Sequence, residues 1–202
     1  MTLTFWYDFS STYSYLAAMR IEEKADEAGV PVEWMPFLLG PIFAEAGYDG
    51  TPNLVTPAKA DYMWADIARR AHHRGLPFVK PSTFPQKSVA AARATLSLSQ
   101  RERPAFSRAV FTQEFAYGRD ISDFSVLEAA AKDAGLHPDT VLEGARDEGA
   151  KAALFASTDA AKSLGIFGAP TFVTTDDVLF WGDDRLMDAL CWERTGSLPE
   201  GG

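Results

Sequence analysis

Leu3 to Tyr7 is an aromatic, β-rich run that reads as a buried strand, and Asp8-Phe9-Ser10-Ser11 supplies turn and cap residues after it. Ala17, Ile21, Ala25 and Ala28 then recur at helical spacing. The pattern predicts one helix from this turn to about Ala28, with Gly29 as its stop. Pro31 to Phe37 is a second β-like run, so the chain opens strand–helix–strand. Thr56 followed by Pro57 predicts a helix start, and Ala60, Met63, Trp64, Ile67, Ala68 and Ala71 make an apolar stripe that ends at Gly75. Further helices are expected at about Ser88–Ser97, Pro104–Phe115, Asp123–Ala134, Asp139–Ala145 and Glu148–Leu164, with no convincing strand among them. After Gly165 the β pattern returns. Pro170–Thr175 and Val178–Trp181 read as a hairpin joined by Thr-Asp-Asp, and Asp183 or Asp184 can cap a closing helix that runs to about Arg194.

The expected layout is β-α-β, a helical block, then β-β-α. Residues 1–40 and 165–202 should build one α/β sheet domain, and residues 41–164 an all-helical insertion over it. Loops at the strand ends that face the block would line the cleft. At 202 residues the chain can bury enough surface to need neither disulfide nor structural metal. Nineteen basic against 28 acidic residues give a net charge of −9, which argues against a nucleic-acid partner, since that needs clustered positive charge. The single cysteine, Cys191, excludes an internal disulfide, a Cys-x-x-Cys redox pair and a multi-cysteine zinc site. Between Leu190 and Trp192 it reads as a small buried hydrophobe. Cysteine usage fits a reducing cytosol, the N-terminus lacks a basic-then-apolar leader, and no run approaches ~20 apolar residues. The expectation is therefore a cytoplasmic protein without a membrane partner. His72 and His73 are adjacent, point about 100° apart on a helix and have no partner at ligand spacing, so no metal site is expected.

Four stretches remain as candidate chemistry: Tyr7 to Tyr15, Thr51-Pro52-Asn53 with Pro57 to Tyr62, Phe167-Gly168-Ala169-Pro170-Thr171, and Phe180 to Leu186. Read locally, each has an ordinary explanation. Ser11 can simply cap a helix, Pro170 can open a strand, Asp183 and Asp184 can be an acidic cap, and Lys59 can be a solvated lysine. In this order along the chain, however, the four resemble the 2-hydroxychromene-2-carboxylate isomerases and the related kappa-class glutathione transferases. Both resemble DsbA-type oxidoreductases in layout, and the resemblance spans nearly the whole chain. It implies a thioredoxin-like α/β fold with a large inserted helical domain, and glutathione as cofactor.

It also implies roles. The Cys-x-x-Cys position reads Ser11-Thr12-Tyr13-Ser14, which cannot exchange disulfides, with Thr12 where members often carry proline. Ser11 would be the catalytic residue, donating a hydrogen bond to the glutathione sulfur at a helix N-terminus that favours an anion. Pro170 would be cis and expose the N–H and C=O of Ala169 to the glutathione backbone. Gly182 would let the ligand approach, while Asp183 and Asp184 receive the γ-glutamyl group, Asp184 being the better partner for its ammonium. Asn53 would bond the tripeptide's amides, and Lys59 would oppose a carboxylate of glutathione or of substrate. The expected activity is isomerisation of a small aromatic substrate by reversible thiolate addition in aromatic catabolism, in a homodimer. A kappa-like transferase or peroxidase, and a thioredoxin-like binding module without catalysis, are the alternatives.

Overall fold

The computed structural model describes residues 1–199. Four strands form one sheet in the order β2-β1-β3-β4, with β1 Leu3–Tyr7, β2 Val32–Pro36, β3 Thr171–Val173 and β4 Leu179–Trp181. β1 runs parallel to β2 and antiparallel to β3, and β3 runs antiparallel to β4. The alternation of β1 decides its two faces. Leu3, Phe5 and Tyr7 enter the main core, whereas Trp6 joins a smaller cluster with Phe37, Ile42, Ile166 and Val173. Phe5 is the hub of the larger face, stacked on Phe172 at 5.5 Å and edge-on to Trp34 at 4.9 Å.

The expected single first helix is two helices, α1 Thr12–Ala18 and α2 Ile21–Ala28. The apolar spacing runs unbroken across the joint, so the pattern alone could not show it. Arg20 departs from helical backbone at φ −133° while its side chain reaches across to Asp183. Gly29 then ends α2 at φ +68°, a left-handed position that glycine takes without penalty.

Seven helices follow before the sheet resumes. α3 Leu39–Glu45 was not expected from the pattern. α4 Pro57–His73 starts as expected, Thr56 Oγ1 accepting the Lys59 N–H at 3.4 Å. Its inward stripe differs from the expected one, because Ala68 is exposed and Asp66 is buried instead. α5 Val89–Ser97, α6 Arg103–Phe111, α7 Phe124–Asp133, α8 Pro138–Arg146 and α9 Glu148–Ser163 lie close to the expected spans. The segment expected as a straight continuation of α6 is a π-helical turn, Thr112–Ala116. α10 Leu186–Thr195 closes the described chain. Neither aspartate caps it, because Asp183–Arg185 forms a separate 3₁₀ turn and Arg185 stands at the N-cap. Cys191 is partly exposed rather than buried, its sulfur 3.7 Å from the Thr195 hydroxyl.

The helices do not merely sit on the sheet. Phe111 of α6 packs on Tyr7, Phe9 and Tyr15 with ring centroids 5.0–6.4 Å apart. The Tyr7 hydroxyl and Ser107 Oγ meet at 2.6 Å inside this contact. One core therefore joins the sheet to the helices and holds the β1–α1 turn against both.

Candidate active site

The turn after β1 is built by Asp8. Its carboxylate accepts the N–H groups of Ser10 at 3.0 Å and Leu39 at 2.8 Å, which ties the turn to the start of α3. Ser11 then stands at the N-cap of α1 in extended backbone, and its Oγ accepts the Ser14 N–H at 3.2 Å. The same hydroxyl donates to the Ala169 carbonyl at 2.9 Å. Ser11 is thus a cap, as its local reading had it, and also the bridge between the helix start and the loop before β3. The Ala169–Pro170 peptide bond is cis, as the resemblance implied, and so is Phe84–Pro85, which nothing in the sequence had pointed to. The Pro170 carbonyl accepts the Gly182 N–H at 2.9 Å, which brings the last loop alongside.

These groups line a cavity of about 1100 Å³. Ser11 and Ala169 are on its wall, Asn53 and Lys59 at its exposed side, and Gly182, Asp183 and Asp184 at the end nearest α10. Of the residues singled out from the sequence, only Pro170 is set behind the wall. Apolar lining comes from Phe43, Tyr48, Tyr62, Met63, Phe167 and Trp181, with Phe167 and Trp181 at 4.9 Å. Gly168 leaves no room for a side chain, since a Cβ would stand 2.4 Å from Trp181 Nε1.

The two aspartates differ sharply. Asp183 is 1% exposed, and its carboxylate takes both terminal nitrogens of Arg74 at 2.9 and 2.7 Å and Arg20 Nε at 3.3 Å. Arg20 also donates to the Asp183 backbone carbonyl. That carboxylate anchors α1–α2 and α4 to the last loop and has little bonding capacity left for a ligand. Asp184 is solvent-accessible, 3.5 Å from Arg185, and faces the cavity. Gly182 is needed where it stands, because its φ of +113° is a backbone conformation that residues with a Cβ rarely adopt.

One polar group in the cavity was missed. Asp66 of α4 accepts the Tyr13 hydroxyl at 2.9 Å, Arg70 Nε at 2.8 Å and Arg69 at 3.3 Å. Burial pushes its carboxyl up, but the bonds from Arg70, Tyr13 and Arg69 outweigh this and hold it below the usual carboxylate range. Tyr13 is pushed the other way, first by burial and then by Asp66 itself. A signal was available: Asp66 falls between Met63 and Ile67 at helical spacing, a charge on an otherwise apolar stripe.

Residues 2–190 match the family model described as the DSBA-like thioredoxin domain. The chain belongs to that family. Within the DSBA-like family it is 31% identical over 185 residues to the 2-hydroxychromene-2-carboxylate isomerase of Sphingobium xenophagum, covering 92% of this chain and 94% of that one. It is 26% identical to glutathione S-transferase kappa 1 of Caenorhabditis elegans, covering 91% and 86%. A solved structure of a 2-hydroxychromene-2-carboxylate isomerase superposes with a TM-score of 0.83 at 25% identity over 97% of this chain and 98% of that one. The DSBA-like fold and the relationship to these isomerases and transferases are therefore established. Among the described residues no cluster of three metal-ligating side chains occurs, and no helix is long and apolar enough to cross a membrane.

Proposed function

We propose that this protein is a glutathione-dependent isomerase acting on a small aromatic substrate of the 2-hydroxychromene-2-carboxylate type. The observation that supports this most is the Ser11 hydroxyl, set at the start of α1 against the Ala169 carbonyl and opening on the cavity. The donor set suits glutathione. An exposed amide at Asn53, a lysine at Lys59, an accessible carboxylate at Asp184 and a helix N-terminus match the tripeptide's amides, carboxylate, ammonium and sulfur. Glutathione, when bound, supplies a thiolate that adds to a conjugated carbon of the substrate and leaves again, so that a double bond turns while it is temporarily single.

The chain's own work is binding and charge placement. Ser11 donates a hydrogen bond to the anionic sulfur, and the Thr12 and Tyr13 N–H groups at the start of α1, which have no intrahelical acceptors, stabilise the same charge. Asp184 receives the ammonium, Asn53 the peptide amides and Lys59 a carboxylate. Asp183 acts behind them, holding the loop through Arg74 and Arg20. Phe43, Tyr48, Phe167 and Trp181 keep water from the reacting carbon.

The test is turnover of 2-hydroxychromene-2-carboxylate with free glutathione measured alongside. Product that requires glutathione without consuming it supports the isomerase. One glutathione lost per product indicates the transferase reading, and absence of glutathione binding by calorimetry indicates a non-catalytic module. Ser11→Ala should retain glutathione affinity within about threefold while kcat falls roughly ten- to a hundredfold, the loss of one hydrogen bond to an ionised group. Titrated by thiolate absorbance, bound glutathione should ionise at lower pH than free glutathione, and in Ser11→Ala that difference should shrink.

A further inference from the structure

Glu114 stands in the middle of the π-helical turn Thr112–Ala116, which the Tyr117 N–H closes on the Thr112 carbonyl at 3.1 Å. It is fully buried, and neither carboxyl oxygen has a hydrogen-bond partner among the described residues. It caps nothing, pairs with nothing and has no part in the chemistry proposed for the cavity. Burying a polar group in this way costs stability. The backbone around it is also unusual. A π turn holds one residue more than the α-helical turn it replaces, and such turns occur mostly singly and often at functional sites.

The turn packs on the elements that hold Ser11. Phe115 lies on Tyr15 with ring centroids 5.4 Å apart, and Phe111, at the end of α6, lies on Phe9 at 5.0 Å. In sequence, Phe9 and Tyr15 bracket Ser11 and the first turn of α1. The Phe115 carbonyl also accepts the Val79 N–H at 2.7 Å, beside Pro77, whose carbonyl accepts the Tyr15 hydroxyl at 2.6 Å. The charges that act on Glu114 are those of Asp8 and Asp120, both negative, and with burial they push its carboxyl well above the ordinary range. Asp8 is the residue whose carboxylate holds the Ser10 and Leu39 N–H groups. The cations of the surrounding segments are engaged elsewhere. Arg108 of α6 pairs with Glu22, Arg103 donates to the Trp34 carbonyl, Arg119 donates to Gln113, and Lys80 stands over the Trp64 ring. On α1, the Tyr13 hydroxyl is on Asp66. An anion at Glu114 thus meets like charge and no donor.

We propose that Glu114 is a proton-controlled positioning residue: as the neutral acid it lets the π turn close on Phe9 and Tyr15 and keep Ser11 in place, and on giving its proton to solvent it leaves the core and takes the turn with it. This rests on reading the cavity beside Ser11 as the glutathione site, whose regulation it adds. An ionised carboxylate reaches water only if the π turn unwinds, and unwinding draws Phe115 off Tyr15 and breaks the bond to Val79. The α1 start then loses the packing that fixes it. The site therefore lets glutathione go as pH rises, even though more of the free thiol is then ionised.

The test is calorimetry with S-methylglutathione, which has no thiol to ionise, on the parent protein and on Glu114→Gln at pH 6 and pH 9, with far-UV circular dichroism recorded on both. The ligand's other ionisations are common to the two proteins and cancel in the ratio of their dissociation constants. That ratio, parent over variant, should rise about tenfold from pH 6 to pH 9, as expected if about a tenth of the parent then keeps the competent turn. Glu114→Met, which also has no proton to lose, should give the same rise and serves if the amide variant does not fold. Amide hydrogen exchange at Val79, which reads its bond to the Phe115 carbonyl, should become faster in the parent than in either variant over the same range. A ratio that stays constant overturns the inference, and so does a rise that appears only where the parent loses its circular dichroism signal. Failure to bind S-methylglutathione at either pH defeats the proposed function, whereas the exchange of Val79 still reads the turn by itself: a pH-dependent difference between parent and variants supports the switch, and none refutes it.

Discussion

At the scale of single residues, two neighbouring aspartates stand in different surroundings, Asp183 buried against two arginines and Asp184 open to the cavity. Asp183→Asn removes the charge from a buried carboxylate held by two arginines, and should cost stability toward the lower end of ~3–5 kcal/mol, since both arginines retain some contact with water. Asp184→Asn should leave the melting temperature within experimental error and weaken glutathione binding about tenfold. Paired thermal melts and calorimetry check both, and a reversal of the two effects would refute the assignment. Ser11, Asn53, Lys59, Ala169 and Gly182 could be picked out through the order of four stretches that resembles a known family, because a local reading leaves residues such as Ser11 and Lys59 with an ordinary explanation. The resemblance already favoured Asp184 as the ligand's partner, but the anchoring role of Asp183 was not legible, because it depends on Arg20 and Arg74, which lie 163 and 109 residues away. Asp66 could have been found by asking why a charge interrupts an apolar stripe.

At the scale of elements, the same question applies to the π turn at Thr112–Ala116. Glu114 follows Val110 at helical spacing, is fully buried, and neither carboxyl oxygen has a partner among the described residues. Burial, with the negative charges of Asp8 and Asp120 adding to it, pushes its carboxyl well above the ordinary value of about 4.3. The folded state therefore holds this proton more tightly than the unfolded chain does. Its contribution is present at low pH and is lost as pH rises from about 4.3 through the raised folded value. Glu114→Met should be more stable than the parent at pH 8 by about 1–3 kcal/mol and show a smaller advantage at pH 5. Denaturant unfolding at the two pH values measures this, and parallel profiles would refute it. Most element positions were legible because cap residues and glycines mark them: Thr56, Gly29, Gly135 and Gly165 all stand where a helix starts or stops. The joint between α1 and α2 carries no such mark, since it is made by a tertiary contact of Arg20.

At the scale of the whole molecule, the cavity lies between the sheet end and the helices, yet its walls share one core through Phe111, Tyr7 and Ser107. A ligand that bridges Ser11, Asn53 and Asp184 binds the folded arrangement alone and should stabilise all of it. Glutathione at a hundred times its dissociation constant should add about 2.7 kcal/mol to unfolding, visible as one cooperative transition moving to higher temperature. Two transitions, with only one moving, would show that the sheet and the helices unfold independently. The β-α-β … β-β-α order was readable because periodicity changes from two to 3.6 and back. That both chain ends share one sheet was readable from the same change, but the pairing of β1 with β3, which sets Phe5 beside Phe172, was not, because no local pattern carries a contact between such distant positions.

The Ser11 hydroxyl has one proton, and the Ala169 carbonyl already holds it. Donation to a sulfur anion therefore requires the hydroxyl to turn, which strands that carbonyl unless something else donates to it. A peptide N–H can; a bare thiol cannot. On the proposed function, the resting hydrogen bond should therefore favour thiols embedded in a peptide over thiols that bring no donor to the Ala169 carbonyl. Ethanethiol, which has no donor besides its S–H, supplied far above the concentration at which glutathione saturates, should bring no turnover, and activity with it would show that the Ala169 carbonyl needs no replacement donor.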